Sequence, residues 1–263
     1  MSENAGLVQK TLFMDGHNGG TTMLLGLHTY SFHLHGMGQN WGGHKLAWEQ
    51  VWDVFGLMDE AKKLGLDGLH LTAADLGRTD DSHLKDVRNA AEERGLYLEY
   101  NFSLNASEYD DRLTNTMEQG IAIAEKIGSD IGKISMDVHR PHPVCGSAFH
   151  PEVIVQLERI AQLAIAAAPV AQKAGVRLCL ENHTEAFSDE VLWTINRVNH
   201  PYVGACVDTN NSLMVGPVRV PDHRRGHRHR RCAHERSLPD HLQQPLHAAP
   251  QPGGGVRSGN GRS

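Results

Sequence analysis

The chain has 263 residues, 21% of them charged and 40% hydrophobic, with a formal net charge of -6 at pH 7. That length suits one large α/β domain or two small ones, and the balance is ordinary for a soluble globular protein. No run of about 18 apolar residues marks a membrane span, and the acidic balance speaks against a nucleic-acid binder.

Residues 1–21 are polar, turn Gly-rich toward HNGGTT, and read as a flexible leader. From Met23 strands and helices alternate. MLLGLH is the first predicted strand, and a loop holding His33, His35, Trp41 and His44 follows it. That loop reads equally as a lid with an aromatic wall for a sugar face or as an exposed His-rich loop. Residues 48–64 predict a helix, with Val51, Val54, Phe55, Met58, Ala61 and Leu64 at helical spacing. LGLDGLHL closes that helix on Gly and supplies a second strand ending at His70 and Leu71. A helix over 82–94, the strand LYLEYNF and a helix over 111–127 come next. The strand IGKISMDV, ending at Asp137, then leads to a long helix over 151–174 closed by Gly175.

The most informative stretch is Val176–Asn211. The apolar run VRLCLE stops on Glu181, Asn182 and His183, and VGACVD stops on Asp208, Thr209 and Asn210. Between them DEVLWTINRV has helical periodicity, so the interval is one strand–helix–strand step. Neighbouring parallel strands lie roughly 4.8 Å apart, so two carboxylates at their carboxyl ends share one space. Hard divalent cations and sugar-type substrates are held in such places. About six β units in strict alternation with helices predict a (β/α)8 TIM barrel built to about three quarters. A doubly wound sheet is disfavoured, because no GxGxxG or GxxxxGK[ST] follows the first strand.

His28 and His70 end the first two strands and should line the same mouth, though each reads as readily as a packing residue. Glu99 lies inside its strand and reads as a partner for a helix cation. Lys133 and His139 are left open as contacts to a phosphate or a sugar hydroxyl. Four cysteines (Cys145, Cys179, Cys206, Cys232) show no CxxC pairing, and MSENAGLVQK has no signal pattern, which together point to a reducing, cytoplasmic setting.

After Gly216 the composition changes. Residues 217–263 hold nine Arg, six His, six Pro and six Gly, with no Phe, Trp, Tyr, Ile, Met or Lys. The nine Arg against three acids give a local charge of +6, so the rest of the chain carries -12. Such a segment buries too little surface to offset its ordering entropy and is expected to be a disordered basic tail. Its six His give only weak, non-specific chelation. The abrupt change, where the sixth strand should hand over to its helix, reads as out-of-frame translation of GC-rich coding DNA. A barrel cut there has two unpaired edges and is expected to be poorly soluble and impaired.

LGLDGLHL, LCLENH and VGACVDTNNSLMVG resemble the xylose isomerase-like barrel superfamily, the sugar-phosphate isomerases and epimerases, over roughly Met23–Gly216. The resemblance implies a divalent ion (Mn, Mg, Co or Zn) held by Glu181 and Asp208 with a His from a seventh strand and a Glu from an eighth. The last two have no counterpart in this sequence. Glu181 is then both ligand and catalytic base for proton removal beside a carbonyl. His183, His28 and His70 are expected to contact the substrate. The implied activity is a sugar or sugar-phosphate isomerase or epimerase. Its rivals are a keto-sugar or inositol-type lyase or dehydratase, the abasic-site endonuclease branch, and a non-catalytic remnant. The endonuclease reading is disfavoured by the acidic barrel. A small-molecule sugar is the expected partner, with neither nucleic acid nor membrane, and a homo-oligomer is left open.

Overall fold

The structure is a computed structural model and describes residues 9–12, 23–39, 49–107, 109–140 and 148–211. Seven strands form one sheet in chain order: β1 Gln9–Leu12, β2 Met23–His28, β3 Gly68–Leu71, β4 Tyr97–Ser103, β5 Ile131–Ser135, β6 Arg177–Glu181 and β7 Val203–Cys206. From β2 to β7 each strand pairs in parallel with the one before it. The crossovers carry α1 Val54–Lys63, a short α2 Ala73–Leu76, α3 Asp81–Arg94, α4 Met117–Ile127, α5 Pro151–Ala174 and α6 Ser188–Val198. Sequential parallel strands with helices in the crossovers between them are the winding of an incomplete TIM barrel of six β units, as expected.

Alternation along the strands sorts the two faces. Leu69 and Leu71, Leu98, Tyr100 and Phe102, and Leu178 and Leu180 are buried on the outward face. They join one apolar core with Leu57 and Met58 of α1, Leu84 of α3, Ile121 of α4 and Leu157 of α5. Among the described helices α5 alone has the length and apolarity of a membrane span. Val153, Leu157, Ala161, Ala164, Ala168 and Ala171 are buried along it, and it packs between α4 and α6, as a core helix does.

Two helix starts differ from the sequence expectation because capping side chains decide them. Asp53 accepts from the Gly56 N–H at 2.8 Å, so α1 begins at Val54 and Val51 is exposed. Thr116 and Gln119 form a reciprocal capping box that starts α4 at Met117 and leaves Asp111–Leu113 as a separate 3-10 turn.

Within the segment read as a flexible leader, Gln9–Leu12 pairs antiparallel with β2, from Gln9 opposite Gly26 to Leu12 opposite Met23. β1, rather than β2, is therefore the first edge of the sheet. The edge of β2 presents backbone groups that need partners, and this local segment supplies them. Trp41, His44 and residues 217–263 lie outside the described residues.

Candidate active site

On β4 the inward set is Tyr97, Glu99, Asn101 and Ser103, and its neighbours oppose it with more polar residues. His28, His70 and Glu99 are in register across β2, β3 and β4. Asn101, Lys133 and Cys179 are in register across β4, β5 and β6. The lowest level is Tyr97, which lies over two glycines. A Cβ on Gly26 would sit 2.0 Å from Tyr97 Oη, and one on Gly68 would sit 2.3 Å from its ring. Tyr97 Oη meets His70 Nε2 at 3.1 Å, and His70 Nδ1 lies 3.3 Å from Glu99 Oε1.

Burial, with His28 and Lys133 nearby, pushes His70 down to about 3. Burial and Lys133 push His28 down to about 4 against the pull of Glu181. Both imidazoles are therefore neutral at pH 7. His28 Nδ1 accepts from the Tyr30 N–H at 3.1 Å, which places its proton on Nε2. Asn101 Nδ2 lies 3.4 Å from that Nε2, and Asn101 Oδ1 has no partner among the described residues, so turning the amide end for end gives the Nε2–H an acceptor.

Burial also pushes the Glu99 carboxyl up to about 7, with Lys133 opposing and Glu181 assisting. Its folded pKa lies above the ordinary value of 4.5, so its contribution to stability is full below that value and lost as pH rises through 7. Glu99→Gln should thus gain stability over wild type between pH 5 and pH 8, by on the order of 2 kcal/mol. Urea titrations at the two pH values check this, and a flat difference refutes it.

Above this level Lys133 Nζ donates to Glu181 Oε2 at 2.6 Å, with the two side chains 9% and 6% exposed. Ser135 Oγ donates to the same oxygen at 3.3 Å. Burial would raise the Glu181 carboxyl, but Lys133, His183 and His28 outweigh it and hold it below the usual carboxylate range. Burial likewise opposes charge on Lys133, and Glu181, Cys206 and Glu99 overcome that, so the pair is ionised.

Asn182 follows directly and builds the rim. Its Nδ2 donates to the Asp208 carbonyl and its Oδ1 accepts from the Asp208 N–H, both at 2.7 Å. One side-chain amide thereby adds a rung beyond the β6–β7 ladder. Asp208 lies two residues past the end of β7, and its Oδ1 accepts from the Asn210 and Asn211 N–H groups at 2.8 and 3.0 Å. That oxygen caps the next turn. His183 Nδ1 is hydrogen-bonded to Glu185 Oε2, and Glu185 Oε1 accepts from the Asp137 N–H at 3.1 Å. The Asp137 carboxylate accepts from Ser103 Oγ and, at 3.0 Å, from Tyr109 Oη. Asp137 holds φ at 51°, a costly backbone for a residue other than glycine. Burial disfavours the His183 imidazolium, yet Glu185 and Glu181 raise its pKa above the ordinary value.

The residues singled out in the sequence thus fall in different places. Glu181, His28 and His70 share the barrel interior, while His183 stands on the rim with Glu185. Asp208 is tied to the end of β6 through Asn182, and one of its carboxylate oxygens turns to its own backbone. His33 stacks on Tyr30 with ring centroids 5.0 Å apart, and His35 on Trp52 at 5.6 Å. Asp137 does not end a strand, because β5 stops at Ser135. Glu99 meets His70 rather than a helix cation. His139 engages Gln156 through its backbone N–H and C=O. Asn101, Tyr109 and Glu185 escaped sequence reasoning, and Asn182 was read only as part of a strand end. The period of two in YLEYNFS marks Asn101 as sharing a face with Glu99 and Tyr97. No comparable signal marks Tyr109 or Glu185.

The resemblance implied a divalent ion on Glu181 and Asp208, and the described residues do not fit one. Glu181 Oε2 is held by the Lys133 ammonium and Ser135, and Asp208 Oδ1 by two backbone amides. Among the described residues no three His, Cys, Asp or Glu side chains are grouped to hold a metal ion.

A sequentially wound parallel sheet that gathers charged groups inside and at the carboxyl ends of its strands is a barrel-type enzyme scaffold. The chain belongs to the xylose isomerase-like TIM barrel family, whose model matches residues 58–255 and so runs past Gly216. No curated protein matches the chain. An L-ribulose 3-epimerase structure shares the fold, with a TM-score of 0.51 and 16% identity over 72% of this chain and 61% of that one. A D-psicose 3-epimerase solved in the presence of D-fructose matches with a TM-score of 0.47 and 16% identity, over 62% of this chain and 61% of that one. The D-psicose 3-epimerase of Clostridium cellulolyticum H10, solved with D-tagatose, gives a TM-score of 0.47 and 19% identity, over 62% and 60%. The chain spans about three fifths of the length of each of these proteins.

Proposed function

We propose that this chain removes a proton from the carbon beside the carbonyl of a sugar or sugar derivative, as an isomerase or epimerase. The observation that carries the reading is Glu181, buried at the carboxyl end of β6 and 2.6 Å from the Lys133 ammonium, in a chain of this family. A carboxylate there reaches the place where barrel enzymes bind substrate. Glu181 is the base, and His183, held by Glu185, is placed to meet a substrate hydroxyl. The L-ribulose 3-epimerase that shares the fold supports a ketose as substrate.

The test is deuterium wash-in from D2O at the carbon next to the carbonyl, followed by NMR over a panel of ketoses. Proton exchange is common to isomerases, epimerases and dehydratases, so the readout does not depend on the product. Wild type should exchange, and Glu181→Gln should exchange about 10²–10⁴ times more slowly, the usual contribution of a positioned base. Exchange at equal rates removes Glu181 from this role. No exchange in wild type across the panel leaves the non-catalytic reading in its place.

A further inference from the structure

We propose that the ammonium of Lys133 is the resident cation of this site, doing for the substrate's carbonyl oxygen what a divalent ion on Glu181 would do. The inference rests on the reading of Glu181 as the base. The geometry on which it stands is a pair in contact at 2.6 Å, formed by side chains from adjacent strands that are only 9% and 6% exposed. A divalent ion on that carboxylate would bring a second positive centre against the ammonium in a poorly screened interior. It would also have to find further oxygen ligands where one oxygen of Asp208 already serves two backbone amides. Glu181, on the strand beside β5, gives the ammonium a counter-charge that needs no metal.

An ammonium carries three N–H donors, and Glu181 takes one. Another can meet an oxygen entering from the mouth. In the isomerisation Glu181 removes the proton from the carbon beside the carbonyl. The electron pair moves onto the carbonyl oxygen, which takes a proton from Lys133 to give an enediol and a neutral amine. The amine then removes the proton of the neighbouring hydroxyl, the new carbonyl forms there, and Glu181 returns its proton to the former carbonyl carbon. Both residues end as they began, and no oxidant or metal is consumed.

The experiment uses the full chain stripped of metal, with Mn2+ as probe, followed by electron paramagnetic resonance and calorimetry. Glu181→Gln serves to subtract binding by the His-rich residues 217–263. Wild type should show no Glu181-dependent Mn2+ binding below the millimolar range, and Lys133→Gln should gain at least ~10-fold in affinity. Lys133→Arg, which keeps the charge, should gain nothing. One-to-one binding in wild type that Glu181→Gln abolishes overturns the proposal, and so does a Lys133→Gln variant no better than wild type. Should Lys133→Gln fail to fold, thermal melts of wild type decide. No shift on adding Mn2+ supports the proposal, and a shift that Glu181→Gln removes overturns it. Deuterium exchange separates this inference from the function beneath it. Exchange that persists in chelator supports both. Exchange that requires Mn2+ keeps the function and removes the role of Lys133. Absence of exchange under all conditions removes the function, and with it the catalytic role of Lys133.

Discussion

Glu181→Leu should lower the unfolding free energy by about 3–5 kcal/mol, because it strands the Lys133 ammonium in the barrel interior without its partner. Lys133→Met should cost a similar amount for the mirror reason. The double variant, with two apolar side chains of matching volume, should cost far less than the sum and could come out neutral. The arithmetic behind this is that each ion loses its hydration on folding, while only the pair recovers that loss. A double-mutant cycle in urea reads the coupling directly. Additive single effects would mean that the two ions are solvated independently and do not form the sealed contact seen at 2.6 Å.

Gly68→Ala should destabilise the fold by roughly 3 kcal/mol, at the upper end of overpacking costs. Its Cβ would lie 2.3 Å from two ring carbons of Tyr97 and 2.5 Å from a third, so no turn of the ring clears it. Gly26→Ala meets the same side chain at its tip, with Oη at 2.0 Å and Cζ at 2.9 Å. Tyr97→Phe should therefore relieve much of the Gly26→Ala loss and little of the Gly68→Ala loss. Urea midpoints of the three single and two double variants test this, and equal rescue of both would contradict the ring placement.

How much of this was legible in the sequence depends on the range of the interaction. MLLGLH and the helix at Pro151–Ala174 were delimited correctly, because alternation, helical periodicity and a closing glycine are all local signals. Start points governed by one capping side chain, such as Asp53 or Thr116, were misplaced, because apolar spacing runs on through a cap. The strand at Gln9–Leu12 was missed because four residues carry too little pattern to stand out from a polar leader. Glu181 was visible as a carboxylate ending an apolar run. Its partner Lys133 lies 48 positions away, and a period of two tells which way a residue faces but not what it meets across the barrel. Asp208 shows the converse limit. Its place after a strand does not tell that the following N–H groups occupy one of its oxygens.

The antiparallel strand Gln9–Leu12 bears on how molecules of this protein can meet. β1 covers the outer edge of β2 and becomes the first edge of the sheet in its place, with β7 at the other end. The six-residue ladder of β2 is thereby exchanged for a ladder of four residues that runs antiparallel to the strand beside it. A short edge strand offers a visiting strand few backbone groups to pair with, which is one way proteins blunt edge-to-edge joining. Four residues near the start of the chain therefore act as a selvedge, narrowing the exposed margin of the sheet without closing it.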